Sequence, residues 1–248
     1  MNLESGAVPR HRPEPSRLAC GKTTLRPMLA VDIASYSRRR PDIQLHLRKV
    51  LYQIVPDACE ASGMPWDSCY REDRGDSILV LPPADTDADA LVNTLVIRLH
   101  TELRKHNKTA AASAQIQLRQ AIHAGWVSRD DQGISGHAVN HLFRMLEAPA
   151  FKSELAAHGG ALGVIISAGL YREAVQYTAG PVAPDALRRI NVDVKETKEP
   201  GWIWLSPDGG PTGRQTAPPI AAYRPAVVYY ASNFPVNYRG TNGTKPAT

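Results

Sequence analysis

Two hydrophobic periods alternate along the chain. Residues 25–33 form an apolar run of strand length, whereas residues 42–61 place Ile43, Leu47, Val50, Leu51, Ile54 and Val55 at helical spacing until Ser62-Gly63 ends the pattern. Short segments at 66–71 and 77–81 flank the polar stretch Glu-Asp-Arg-Gly-Asp and predict a β-hairpin, stopped by Pro82-Pro83. Residues 85–105 carry Leu91, Leu95, Leu99 and Leu103 on one stripe, with acidic residues in the first turn where the helix dipole favours them. An amphipathic helix follows from that pattern. Further on, 115–127 alternates as a strand, 138–147 reads as a helix, 163–167 as a strand, 168–176 as a shorter helix, and 189–195 with 202–205 as a closing pair of strands.

Strands interleaved with helices, one hairpin among them, predict an α+β fold in which helices cover one sheet. The patterned region spans about 23–206. Residues 1–22 are basic and proline-bearing, which predicts a disordered lead-in; residues 207–248 are rich in Pro, Gly and Asn, which predicts a flexible tail. Within that tail, the aromatic and Asn-rich stretch 228–243 reads as plain disorder or as a short β-forming segment that docks on a partner.

Composition narrows the class. A chain of 248 residues buries a core without a disulfide framework. Cys20, Cys59 and Cys69 form an odd set without a C-x-x-C pair, which argues against a stapled scaffold or a structural zinc and points to a reducing cytoplasm. The longest apolar stretches, 91–99 and 162–171, are too short for a bilayer, and 1–22 lacks the apolar run of a signal peptide. A formal charge of +5 suits nucleic acid, anionic lipid or a phosphate-bearing small molecule. No aromatic-basic strand pattern or recognition helix supports the first of these.

Two acidic residues sit where strands give way to turns: Asp32 after the run ending Leu-Ala-Val, and Asp76 in the hairpin turn. Carboxylates converging from adjacent strands make a hard-oxygen site for Mg²⁺ or Mn²⁺, with substrate phosphates completing the shell. The plain alternative is a helix cap and a turn residue. Asn140 and Arg144, four apart in Gly-His-Ala-Val-Asn-His-Leu-Phe-Arg, share one helix face and aim an amide and a guanidinium at the same spot, a pairing suited to a pentavalent phosphorus. A solvated face is the alternative. Gly-Lys-Thr-Thr at 21–24 is not a phosphate loop, because Ser16 stands where the upstream glycine belongs and the strand follows the segment instead of preceding it. His123, on an apolar strand, reads as a core or interface histidine.

Five segments in order resemble the catalytic domain of class III nucleotidyl cyclases, over about 23–205. Asp-Ile-Ala-Ser-Tyr-Ser (32–37) is similar to that family's D-I-x-x-F-[ST] opening, and Arg-Gly-Asp-Ser-Ile-Leu-Val-Leu (74–81) to its G-D hairpin. Residues 118–127 resemble its R-x-G-I-H-x-G-x-V strand, 136–146 its G-x-x-V-N-x-x-x-R-L helix, and Val-Asp-Val-Lys-Glu-Thr (192–197) its late strand with a phosphate-gripping lysine. The resemblance implies a ferredoxin-like, class III cyclase-type sheet covered by helices. It implies that Asp32 and Asp76, with the Ile33 carbonyl, hold two divalent ions, Mg²⁺ or Mn²⁺. Asn140 and Arg144 would stabilise the transition state, and Lys195 with Ser35, Tyr36 and Ser37 would bind substrate phosphates. It also implies a head-to-tail homodimer whose two sites each draw the metal pair from one chain and the Asn, Arg and Lys from the other. The implied reaction turns a nucleoside triphosphate into a 3′,5′-cyclic nucleotide and pyrophosphate.

The base-specifying positions depart from the family. Purine-specific members place Lys where this chain has Glu72 and Asp where it has Gly133. Arg71, Arg74 and Ser135 nearby suit the carbonyl acceptors of uracil or cytosine, so the expected substrate is UTP or CTP, as in bacterial cyclases of anti-phage signalling; solvated hairpin charges are the alternative for Arg71 and Arg74. A purine cyclase, and a silent cyclase-like module that senses nucleotide or binds a partner, are the alternative expectations.

Overall fold

The computed structural model describes residues 20–209. The lead-in expected at 1–22 and the tail expected at 207–248 lie, apart from three residues of each, outside the described residues. Strand β1 (Thr23–Ile33) runs antiparallel to β3 (Ser77–Leu81) on one side and to β4 (Leu118–Asp130) on the other. Beyond β3 lies the edge strand β2 (Tyr70–Asp73). On the other side, β6 (Leu162–Ser167) runs parallel to β4, followed by β8 (Thr197–Leu205) and the second edge, β7 (Arg188–Val194). The three-residue β5 (Gly133–Ser135) folds back on the end of β4.

Helices cover both faces of this sheet. Strand alternation sends Leu29, Val31 and Ile33 to one face, against Leu47 and Leu51 of α1 (Pro41–Glu60) and Leu95 and Leu99 of α2 (Leu95–Thr109). Met28 and Ala30 face the other way, against Leu142 and Met145 of α3 (His137–Leu146) and Phe151 of α4 (Pro149–His158). Burial on both sides explains why β1 and β6 read as continuous apolar runs instead of alternating ones. The short α5 (Ala168–Glu173) starts at Ser167, whose hydroxyl accepts from the Leu170 amide.

Most expected elements stand within a few residues of their predicted bounds. The predicted strand at 66–71 is corrected: Trp66–Ser68 is a 3-10 turn, closed by the Cys69 amide on the Trp66 carbonyl, and β2 begins at Tyr70. The helix predicted over 85–105 opens instead with a wider π-helical turn, Ala90–Thr94. There the buried Asn93 donates to Asp89 (2.7 Å) and the Ala179 carbonyl (3.2 Å) and accepts from the Val182 amide (2.9 Å), a polar hub that favours the wider turn.

Beyond the pairs Leu29–Val80 and Ile122–Ile166, where β3 and β6 drop away, β1 and β4 continue as a two-stranded ribbon out to Thr23–Ser128. One face of the ribbon is covered where Val127, Ile134, Ala138 and Val139 pack together. Close approach of α3 requires Gly125, since a Cβ there would meet Ala138 Cβ at 2.6 Å. Among the described residues no helix is long and apolar enough to cross a membrane.

Candidate active site

Asp32 stands one residue before the end of β1 and is buried. Its antiparallel neighbours are Ser77 on β3 and Arg119 on β4. The Ile33 amide donates to the Asp76 carbonyl at 3.1 Å, so the hairpin turn holding Asp76 is fastened to the end of β1. The structure therefore brings Asp32, Ile33 and Asp76 together, as the strand-end and turn positions predict. Burial pushes the Asp32 carboxyl up to about 6 against the pull of Arg119, and Glu147 and Asp76 push it further the same way.

Arg119 was not among the expected site residues. Its guanidinium forks both Asp32 oxygens, Nε to Oδ1 at 2.8 Å and NH2 to Oδ2 at 2.6 Å. The residue lies inside a quoted motif, but its partner follows only from the β1–β4 register, which the sequence does not state. The same guanidinium lies 3.9 Å from Glu147, just past the end of α3.

The donor set fits a hard divalent cation that takes a minority of its ligands from protein: two carboxylates and a main-chain carbonyl, with phosphate oxygens to complete the shell. Among the described residues no group of three or more His, Cys, Asp and Glu could hold a metal, so Asp32 and Asp76 stand as a pair. A cation at Asp32 would meet the same two oxygens that Arg119 forks, each with a further lone pair to offer. The following loop is exposed at Ser35 and Ser37, with Ser35 in the left-handed region at φ 57°, while Tyr36 packs on the core.

A second group lies elsewhere. Asn140 is exposed on the first turns of α3; Arg144, one turn on, pairs with Glu196 and lies 3.3 Å from the Thr197 hydroxyl. Lys195, at φ 52°, occupies with Glu196 the two-residue turn between β7 and β8. From Asp32 on β1 to Thr197 on β8 is three strand spacings, about 14 Å across the sheet. The register also sets them at opposite ends. Asp32 pairs with Arg119 at the start of β4, whereas β8 runs four residues beyond the Ser167–Gly201 pair before reaching Thr197. Neither Asn140, Arg144 nor Lys195 makes a hydrogen bond or ion pair with Asp32 or Asp76 among the described residues.

The expected base-specifying residues divide between the two faces of β2. Tyr70 and Glu72 face α3; Arg71 faces the other way, donating to the Trp66 carbonyl at 2.6 Å and lying 5.0 Å over the Trp66 ring. Arg71 is thus removed from the group, because strand alternation separates neighbours. Glu72 accepts from the Tyr70 hydroxyl (2.6 Å), the Ile134 amide (2.9 Å) and Arg74 Nε (3.0 Å). Burial opposes ionisation, yet these bonds hold its carboxyl below the ordinary range. Arg74 also lies 5.4 Å over the Phe143 ring of α3. Gly133 (φ +136°) adjoins Glu72 so closely that a Cβ there would stand 2.7 Å from Glu72 Oε1. Ser135 is exposed at the end of β5.

His123 is half-buried under α3, as expected of a core or interface histidine. Its Nδ1 is 2.8 Å from the Ser167 hydroxyl and its ring meets that of His141 at 4.6 Å, edge to face. Burial, with His141 beside it, pushes the His123 ring down to about 3, so it stays neutral at ordinary pH.

No protein-family model matches the chain, and no curated protein matches it in sequence. Solved structures do match in three dimensions. The guanylyl cyclase Cya2 shares 20% identity at a TM-score of 0.53, over 75% of this chain and 93% of its own. An adenylate/guanylate cyclase/hydrolase from Silicibacter pomeroyi shares 18% identity at 0.55, over 75% and 99%. A bacterial light-regulated adenylyl cyclase shares 15% at 0.50, over 73% and 90%. The chain accordingly has the fold of class III nucleotidyl cyclase domains, a mixed eight-stranded sheet clothed in helices.

Proposed function

We propose that the protein is a metal-dependent nucleotidyl cyclase, acting as a head-to-tail homodimer. The observation that carries this reading is the convergence of Asp32 and Asp76 at one end of the sheet, with Arg144 standing apart from them against the Lys195–Glu196 turn, inside a cyclase fold. A two-fold arrangement that sets the two groups of two chains against one another makes two complete sites from four halves.

In this reading the ribose 3′-oxygen of a bound nucleoside triphosphate attacks the α-phosphorus, pyrophosphate leaves, and the hydroxyl proton is released. Asp32, Asp76 and the Ile33 carbonyl would hold Mg²⁺ or Mn²⁺, which when bound lowers the pKa of the attacking hydroxyl and steadies phosphate charge. Arg144 exchanges exposed Glu196 for the α-phosphate oxygens, and Asn140 donates to the same centre. Lys195 neutralises the triphosphate, with Ser35, Tyr36 and Ser37 beside it. Arg119, forked on Asp32, lies within the metal half as a further cation.

We take UTP or CTP as the substrate, because Glu72 and Gly133 replace the purine-reading Lys and Asp, and Glu72 is locked by three hydrogen bonds. Its product would be a signal of the kind used in anti-phage defence. Purified protein incubated with Mn²⁺ and each nucleoside triphosphate in turn, with products identified by mass spectrometry, tests this. Cyclic UMP or CMP is the expected product; dominant cyclic AMP or GMP overturns the base assignment, and no product from any substrate overturns the cyclase reading. Mixing Asp32→Asn with Arg144→Ala chains tests the shared site, since a mixed dimer keeps one intact centre and recovers activity.

A further inference from the structure

Helix α3 and strand β8 are joined by two polar rungs. Residues two apart on a strand point the same way about 7 Å apart, and residues three apart on a helix share a side at about 5–6 Å, so the two spacings nearly match. One rung is Arg144, which lies 3.3 Å from the Thr197 hydroxyl and pairs with Glu196. The other joins His141 to Glu199, Nε2 to Oε1 at 2.8 Å. Neither His141 nor Glu199 has a part in the reaction as proposed.

The His141 ring has little freedom. Its side chain is 17% exposed, and it stands edge to face at 4.6 Å on His123, whose Nδ1 is 2.8 Å from the Ser167 hydroxyl. Burial, with Arg144 on the same helix, pushes protonation of the His141 ring below the ordinary range against the pull of Glu199. A neutral ring that faces a carboxylate through Nε2 carries its hydrogen there and donates it. Ser167, His123, His141 and Glu199 thus form one polar thread across β6, β4, α3 and β8, which fixes how α3 is turned against the strand that follows Lys195. We propose that His141 is a positioning residue, whose bond to Glu199 sets α3 against β8 so that Arg144 and Lys195 grip one polyphosphate. The proposal rests on the assignment of Arg144 and Lys195 to substrate phosphate, and its test reads that grip apart from turnover.

Calorimetric titration of the full chain with inorganic triphosphate in EDTA reads the grip without metal or turnover. Kinetics with Mn²⁺ and whichever nucleoside triphosphate the wild type cyclises read turnover. His141→Leu is expected to weaken triphosphate binding and to lower kcat/KM, each by about tenfold, with the far-ultraviolet circular dichroism unchanged. His141→Gln, whose amide nitrogen reaches as far from the backbone as Nε2, is expected to restore most of both. Glu199→Leu removes a negative charge and by charge alone would tighten the grip; it is expected to weaken it, and it serves equally should His141→Leu not fold. A wild-type chain that binds no triphosphate overturns the inference. Leucine variants that bind and turn over like wild type overturn it as well, as does a loss that His141→Gln shares in full. A wild-type chain that binds triphosphate and loses it on His141→Leu, but makes no cyclic nucleotide, supports the positioning role and overturns the cyclase reading alone.

Discussion

Asp32→Asn separates the charge at the end of β1 from its shape. In the metal-free chain Asp32 titrates near 6 instead of the ordinary 3.8, with burial outweighing the Arg119 fork. The folded chain therefore holds this proton more tightly than the unfolded one. The stability so gained is fully present below about pH 4 and is lost as pH rises through 6. The gap corresponds to about 3 kcal/mol, an upper figure for so buried a group. Asparagine cannot ionise, so the variant lacks this dependence while keeping an oxygen for Arg119. Urea unfolding of both proteins in EDTA, from pH 4.5 to 7.5, reads the difference directly. Wild type minus variant should fall as pH rises, by about 2 kcal/mol across this window, and the variant should make no cyclic nucleotide at any pH. A difference that stays flat, or that grows with pH, refutes the reasoning.

Arg144→Ala is expected to lower kcat by about 10²–10³ with little change in KM, as loss of a transition-state donor does. Its stability should stay within about 1 kcal/mol of wild type, because the Glu196 partner is 76% exposed; steady-state kinetics and urea unfolding check both. Gly133→Ala forces a side chain into a left-handed φ and against Glu72, and should cost on the order of 1–3 kcal/mol in urea unfolding. Gln120→Met should stabilise the fold by about 1–2 kcal/mol, since Gln120 is fully buried with neither amide atom partnered among the described residues; a lowered melting temperature would contradict this.

Long periodic segments were legible because one face of each carries its burial. Leu47, Leu51 and Ile54 in α1, and Leu95, Leu99 and Leu103 in α2, are buried at the positions the spacing marks. Helix α4 was missed although it had signals: Pro149 at its first turn, Phe151 and Leu155 four apart, and a left-handed Gly159 as its stop. Strand β5 is too short for any period. In the candidate site, the convergence of Asp32 with Asp76 was readable from strand-end and turn positions. The role of Arg119 and the removal of Arg71 were not. The first depends on which strand lies beside β1, and the second on the 3-10 turn at Trp66–Ser68, which sets the Trp66 carbonyl and ring where Arg71 reaches them.

The contact between Glu72 and Gly133 also limits how this site can change. Glu72 fills the space that any side chain at 133 would need, and β5 hangs on its carboxylate through the Ile134 amide. Placing Asp at 133 alone sets two carboxylates in one space; placing Lys at 72 alone removes the acceptor that Tyr70, Arg74 and Ile134 share. Each single step toward a Lys–Asp pair at these positions therefore passes through a damaged protein. Glu72 and Gly133 form a two-residue lock that single substitutions break instead of turning.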